Sequence, residues 1–291
     1  MPAKKKESTA LVKGLKKKAD DLTVYLEERK ELFSELCSGV LNSSRLIHMA
    51  MACGRLNPDL LKCSPSSWVV ALLDASFFGL EPNPQLGEAY LIPYKIKGVM
   101  TVQFMPGYKG LRRLAVESGT VASIRAYAVY EKDTFSLQPD REWEGKAPFT
   151  HSRWRTGDPK NTEGAGDLTD VYAVWKLPDG SREFLYMPRN GSQSIEYYRS
   201  RSRATKGPWT DKGTYPAMAK KTVIRRACDE LPLSTGSRLG LAIKHEDEFE
   251  TQDAPLHMFD YDEGSGAVEP QLAEEASEPQ APPPPQEGQL F

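Results

Sequence analysis

Apolar positions change their spacing several times along this chain, and each change marks an element. Leu22, Tyr25, Leu26, Phe33 and Leu36 recur at helical intervals, so residues 1–34 read as a helical arm. The arm opens on Lys4, Lys5 and Lys6 and continues with Lys16, Lys17 and Lys18. This basic face can meet solvent, DNA or a neighbouring subunit. Ser44 can cap a helix over residues 46–53. Ser64 and Pro65 give a stronger start, a serine cap followed by proline in the first turn. That helix runs through Trp68, Val69, Ala71, Leu72, Ala75 and Phe78, and Gly79 is its stop. Its apolar residues occupy nearly every face, which places it in the core or at a subunit interface.

The period shifts at residues 81–84. Residues 89–96 and 99–105 read as two strands joined by a turn at Lys97 and Gly98. Pro106 and Gly107 break the second strand. Residues 108–117 follow as a helix that Ser118 and Gly119 stop. Residues 121–131 alternate as a strand, and 134–137 continue it or pair with it. Residues 139–169 are loop-like, rich in Gly, Asp, Pro and Thr. Residues 171–177 and 182–187 form a second hairpin around Pro178, Asp179 and Gly180. Helical spacing returns at 194–199 and 215–228, and Pro232 follows the second of these. From 245 on the chain has few apolar residues and seven prolines, a composition that predicts disorder. The fold expected is α+β: a small antiparallel sheet of two hairpins backed by helices, with an N-terminal helical region and a disordered C-terminal tail. The divisions are a basic arm at 1–34, a core at 35–244 and an acidic, proline-rich tail at 245–291.

With 291 residues, 39% apolar and 27% charged, the chain has room for one large domain or two small ones. No stretch approaches the roughly 20 apolar residues of a membrane helix, so no membrane partner is expected. The lysine-rich start lacks an apolar core behind its charges and does not read as a secretory signal, which gives a cytoplasmic expectation. Cys37, Cys53, Cys63 and Cys228 form no CxxC, and none has a histidine at metal-ligand spacing. They read as small buried hydrophobes. His48, His151, His245 and His257 are dispersed, and neither HExxH nor GxxxxGK[ST] occurs. No cofactor and no enzymatic activity are expected.

The net charge of −2 conceals an asymmetry. Residues 245–291 hold 13 acidic residues and no Lys or Arg, which leaves the body at 38 basic against 27 acidic, or +11. A basic body with an acidic tail points toward nucleic acid.

Three constellations could carry chemistry. In the first, Lys109, Arg112 and Arg113 lie on one side of a helix whose other face is Leu111, Leu114 and Ala115. Like charges four apart cost about 0.2–0.5 kcal/mol, so an anionic partner would account for them. The helix N-terminus after Gly107 can also offer N–H groups to phosphate. In the second, residues 189–226 hold ten cations against Glu196 and Asp211, with Tyr197, Tyr198, Trp209 and Tyr215 interleaved. Cations mixed with rings suit a groove for single strands, and Lys221 and Arg225 share a helix face. In both cases an ordinary solvated basic face is the alternative. The third is acidic: Glu131, Asp133, Asp140, Asp167, Asp170, Asp179 and Glu183 lie near strand ends. A nuclease would gather two or three of them around Mg²⁺. Turn chemistry alone explains Asp179.

Several strings in this order resemble the RecT family of phage-type single-strand annealing proteins. They are Tyr90-Leu91-Ile92-Pro93-Tyr94, Val102-Gln103-Phe104, Gly107-Tyr108-Lys109-Gly110-Leu111, Ser118-Gly119 and Val129-Tyr130-Glu131-Lys132-Asp133-Thr134-Phe135. Trp209-Thr210, Met218, Lys220-Lys221-Thr222-Val223-Ile224-Arg225-Arg226 and Leu231-Pro232-Leu233-Ser234 continue the likeness, which spans about residues 35–235. Residues 141–170 show little of it beyond His151. The resemblance implies an ATP-independent recombinase that coats single-stranded DNA, anneals complementary strands and assembles into rings or helical filaments. A partner exonuclease would supply the single strand.

Annealing needs no catalytic residue, because base pairing supplies the free energy. The protein screens phosphate repulsion and holds one strand extended. Phosphate contacts are expected from Lys109, Arg112, Arg113, Lys220, Lys221, Arg225 and Arg226. Contacts to bases or sugars are expected from Tyr94, Phe104, Tyr108 and Trp209. Two rival readings are a passive single-strand-binding protein and a Mg²⁺-dependent nuclease. The tail ends in Gln289-Leu290-Phe291, an apolar tip like those by which bacterial single-strand-binding proteins recruit partners. It could gate the groove or dock a partner, including a host single-strand-binding protein.

Overall fold

The computed structural model describes residues 2–36, 41–138, 148–154, 164–201, 209–234, 236–251, 259–264 and 268–270. The arm forms as α1 (Pro2–Glu27) and α2 (Lys30–Leu36), burying Leu22, Leu26 and Phe33. α3 (Ser43–Leu56) starts earlier than expected, because Asn42 rather than Ser44 is its cap. The Asn42 side-chain oxygen accepts from the Arg45 N–H at 3.1 Å. α4 (Pro65–Phe78) has the expected ends, and Gly79 closes it at φ 66°. Ser64 makes no side-chain cap. Instead the Ser67 hydroxyl donates to the Ser64 carbonyl at 2.7 Å and accepts from the Val102 N–H at 2.9 Å.

Val102 belongs to the hairpin of β1 (Ala89–Ile96) and β2 (Val99–Pro106). Its turn falls at Lys97 and Gly98, both at positive φ, as a two-residue turn matched to strand twist requires. Phe104 of β2 is fully buried and stacks on Phe78 of α4, centroids 5.7 Å apart. α5 (Tyr108–Glu117) follows, with Leu111 and Leu114 buried as its amphipathic pattern predicts.

β3 (Ser123–Tyr130), β4 (Thr134–Leu137), β5 (Phe149–Ser152), β6 (Leu168–Lys176) and β7 (Arg182–Pro188) come next. β3, β6 and β7 form an antiparallel sheet in the order β3-β6-β7. The two expected hairpins thus lie in separate sheets. Residues 134–137 neither extend β3 nor pair with it. They pair with β5, a strand inside the segment that composition reads as loop. The hairpin is anchored by its rings: Phe135 and Phe149 pack on Tyr172 of β6. A few large side chains there outweigh a polar average.

α6 (Ile195–Arg201), α7 (Tyr215–Asp229) and α8 (Arg238–Thr251) complete the helices. α7 lies on β3 and β6, where Ala219, Val223 and Ala227 meet a sheet whose Ile124, Ala128, Val171 and Ala173 are also buried. Order continues past residue 245, contrary to the composition-based boundary. His245 is 1% exposed within α8, and the hairpin β8 (Phe259–Tyr261) and β9 (Val268–Pro270) buries Tyr261. Arg29 donates to the Tyr261 hydroxyl at 2.6 Å, and its guanidinium lies 3.5 Å from the Tyr25 ring centroid. Scattered apolar anchors hold this region although its mean composition is polar. The rest of the expected tail, residues 271–291, lies outside the described residues, as do Cys37 and His257. Cys53, Cys63 and Cys228 are buried, as expected. No helix among the described residues is long and apolar enough to cross a membrane.

Candidate nucleic-acid interface

Tyr108 at the start of α5, Trp209 ahead of α7 and Lys220 on α7 converge on one cavity of about 660 Å³. Tyr130, Arg189, Arg199, Lys212 and Tyr215 share its wall. The approach to α7 is fixed by Asp211. Its side chain accepts from the Thr214 hydroxyl at 3.0 Å, and its carbonyl accepts from the Tyr215 N–H at 2.9 Å. Pro216 in the first turn then sets the helical φ. Trp209 meets Tyr215 edge to face, centroids 5.7 Å apart.

Glu196 of α6 is the hub of the wall. It accepts from the Tyr215 hydroxyl at 2.8 Å, pairs with Arg199 at 3.1 Å and lies 3.8 Å from Arg189. Burial and this bond push the Tyr215 hydroxyl up to about 12, so the ring stays neutral. Asp167 lies 3.5 Å from Arg189. The wall's carboxylates Asp167, Glu196 and Asp211 are therefore spent on holding its arginines and its loop. Lys220 differs: among the described residues it has no carboxylate partner. Burial, and then the charge of Arg153, lowers its pKa. A phosphate in the cavity would supply the missing counter-charge, beside rings that can take a base.

The other expected contacts are placed differently. Lys109 is exposed on the turn that carries Tyr108, its stem near Gly87. Arg112 donates to the Ile124 carbonyl at 2.8 Å, securing α5 to β3. Arg113 donates to the Gly79 carbonyl and pairs with Glu88 at 3.3 Å and Glu117 at 3.5 Å. Arg226 donates to Gln193 and to the Tyr198 hydroxyl, each at 2.7 Å. Arg225 is only 7% exposed and lies 5.7 Å from the Tyr198 ring. The two arginines brace α6 against α7. Arg225, expected to contact phosphate from the helix face it shares with Lys221, is thus buried, which helix spacing does not tell from a solvated position. Lys221 and Tyr94 are half-buried and lie outside the cavity wall. Phe104, expected to contact bases or sugars, is fully buried and stacks on Phe78.

The N-terminus of α5 is also not an open anion site. The backbone of residues 87–88 crosses its first turn, and the Gly107 N–H donates to the Glu88 carbonyl at 2.7 Å. A Cβ at Gly107 would meet the Gly87 carbonyl oxygen, and one at Gly110 the Glu88 carbonyl oxygen. These glycines admit a close backbone crossing. Arg189, Arg199, Lys212 and Tyr215 belong to the basic stretch that composition singled out, but spacing alone does not separate them from Arg225 and Arg226.

Of the acidic candidates, Asp133 is engaged by the N–H groups of Tyr130 and Trp154 and by His151. Asp170 accepts from the Tyr186 hydroxyl at 2.6 Å. Among the described residues no group of three or more His, Cys, Asp or Glu is placed to hold a metal.

By its family the chain is of the class of the phage-type recombination and annealing proteins. Residues 44–256 match the RecT family model, and the chain belongs to the RecT family. It is 38% identical over 199 residues to Protein RecT of Escherichia coli (strain K12), a match covering 67% of this chain and 68% of that protein. It is also 25% identical over 166 residues to the uncharacterized protein YqaK of Bacillus subtilis (strain 168), covering 57% of this chain and 51% of the relative.

Proposed function

We propose that this protein binds single-stranded DNA along the cavity between α5, α6 and α7 and anneals it to a complementary strand without ATP. The observation that carries the reading is the meeting of Tyr108, Trp209 and Lys220, which has no carboxylate partner among the described residues, in one cavity of a RecT-family chain. Lys220 and Lys212 neutralise phosphates, Trp209 and Tyr108 receive bases or sugars, and the arginine–Glu196 lattice keeps the wall rigid. Base pairing drives the reaction, so the protein's work is to screen repulsion and present base edges. A homo-oligomer, as a ring or filament, places many such cavities in register along one strand. Action in the bacterial cytoplasm beside an exonuclease, with the tail docking a further partner, completes the proposal.

The test is the rate of pairing of two labelled complementary strands, with and without ATP and Mg²⁺. Acceleration independent of ATP is expected, together with quenching of Trp209 fluorescence by single-stranded DNA. Binding with no acceleration would identify a passive single-strand-binding protein. Shortened strands in Mg²⁺ would identify a nuclease.

A further inference from the structure

The outer face of the β3-β6-β7 sheet carries a column of aromatic rings with one open end. Tyr127, Tyr172 and Tyr186 are cross-strand partners on that face. Phe135 of the β4–β5 hairpin lies over it. From Tyr186 to Phe135, from Phe135 to Tyr172 and from Tyr172 to Tyr127, successive rings are 15°, 18° and 25° from parallel, with centroids 6.0, 5.7 and 5.2 Å apart. The column is locked in place. Tyr186 donates to Asp170, and the Tyr172 hydroxyl lies 2.9 Å from His151 Nδ1. His151 Nε2 faces the Asp133 carboxylate at 3.1 Å, so Nε2 carries the proton and Nδ1 accepts from Tyr172.

At Tyr127 the column ends in a cavity of about 460 Å³ lined also by His151, Ser152, Arg153 and Tyr172. Arg153 is exposed there, its guanidinium 5.3 Å from the Tyr127 ring centroid. Among the described residues Arg153 has no carboxylate partner, and its charge helps to lower the Lys220 pKa. The half-buried Tyr127 ring at the end of the column and the Arg153 guanidinium line a gap with room for one nucleotide. A base there would extend the column, with its phosphate on Arg153.

We propose that Tyr127 and Arg153 form a second nucleotide station for single-stranded DNA. The base stacks on Tyr127 and the phosphate pairs with Arg153. The proposal rests on the binding function proposed above and extends its path onto the β4–β5 hairpin, whose second strand lies in the segment that shows little of the family pattern.

The test measures affinity of the full chain for oligothymidine and for a strand of equal length lacking bases. Tyr127→Ala should weaken oligothymidine binding roughly five- to a hundredfold, the range for loss of one stacked base, and leave base-free binding unchanged. Tyr127→Phe should retain both. Arg153→Gln should weaken binding to both strands and make the slope of log K against log salt shallower by about 0.7. Arg153 is exposed, so this variant decides the matter if Tyr127→Ala fails to fold. If Lys212→Ala and Lys220→Ala weaken binding while Arg153→Gln and a folded Tyr127→Ala do not, the second station is overturned and the proposed function stands. If none of the four changes binding, both fall.

Discussion

His245 Nε2 lies 3.6 Å from the Asp74 carboxylate, and both side chains are buried. The contact joins α8 to α4 through the middle of the core. Phe78 and Phe104 meet the imidazole edge-on, at 5.9 and 6.0 Å between centroids. His245→Ala removes one partner of a buried pair and should cost about 3 kcal/mol. Chemical denaturation of the variant reads this directly, and an unchanged midpoint would contradict it. Truncation after Lys244 should cost at least as much, because it removes His245 and the Tyr261 hairpin together.

Asp133 should set part of the acid limit of the fold. Burial alone would raise its pKa, but the amides of Tyr130 and Trp154 and the His151 ring outweigh burial and lower it. A carboxyl depressed in the folded state stabilises fully above its unfolded value, about 3.9, and loses that contribution as pH falls through the folded value. Asp133→Asn should therefore be less stable than the parent at neutral pH, and the difference should shrink through the acidic range. Denaturation midpoints across that range test it; a constant difference would refute the assignment.

Gly110 and Lys109 are neighbours with opposite expected phenotypes. Gly110→Ala places a methyl group against the Glu88 carbonyl and should destabilise the fold by about 1–3 kcal/mol. Lys109→Glu, at an exposed position, should leave the melting temperature within a few degrees while weakening DNA binding. Reversed outcomes would mean that α5 presents its other face.

Residues 271–291 carry four acidic residues and no basic ones, tethered to a body that is basic overall. Ending the chain at Pro270 should preserve stability and tighten DNA binding at low salt by roughly a few-fold. The gain should fade near physiological ionic strength, where the Debye length is about 8 Å. Titration at two salt concentrations decides between gating and no role in binding.

The sequence shows best those features whose cause is local. The Lys97-Gly98 turn, the Gly79 stop and the Leu111–Leu114 face each follow from a few adjacent residues, and each falls where expected. What was hidden depends on distant partners. Phe104 reads as a strand aromatic free to stack, but Phe78 and His245 enclose it. Arg225 and Arg226 look like Lys220 and Lys221 in the string, and only the position of Tyr198 shows them to be braces. The β4–β5 hairpin was invisible for the same reason. Phe149 and His151 gain their meaning from Tyr172, more than twenty residues later in sequence.

The clasp of Arg29 by Tyr261 spans 232 positions, so it has a consequence for the timing of synthesis. As the polypeptide leaves the ribosome, Arg29 emerges 232 residues ahead of Tyr261. The lysine-rich first helix is therefore presented to the cell without this fastening until Tyr261 has been made. A message broken upstream of codon 259 yields a product whose first helix is never fastened at that point.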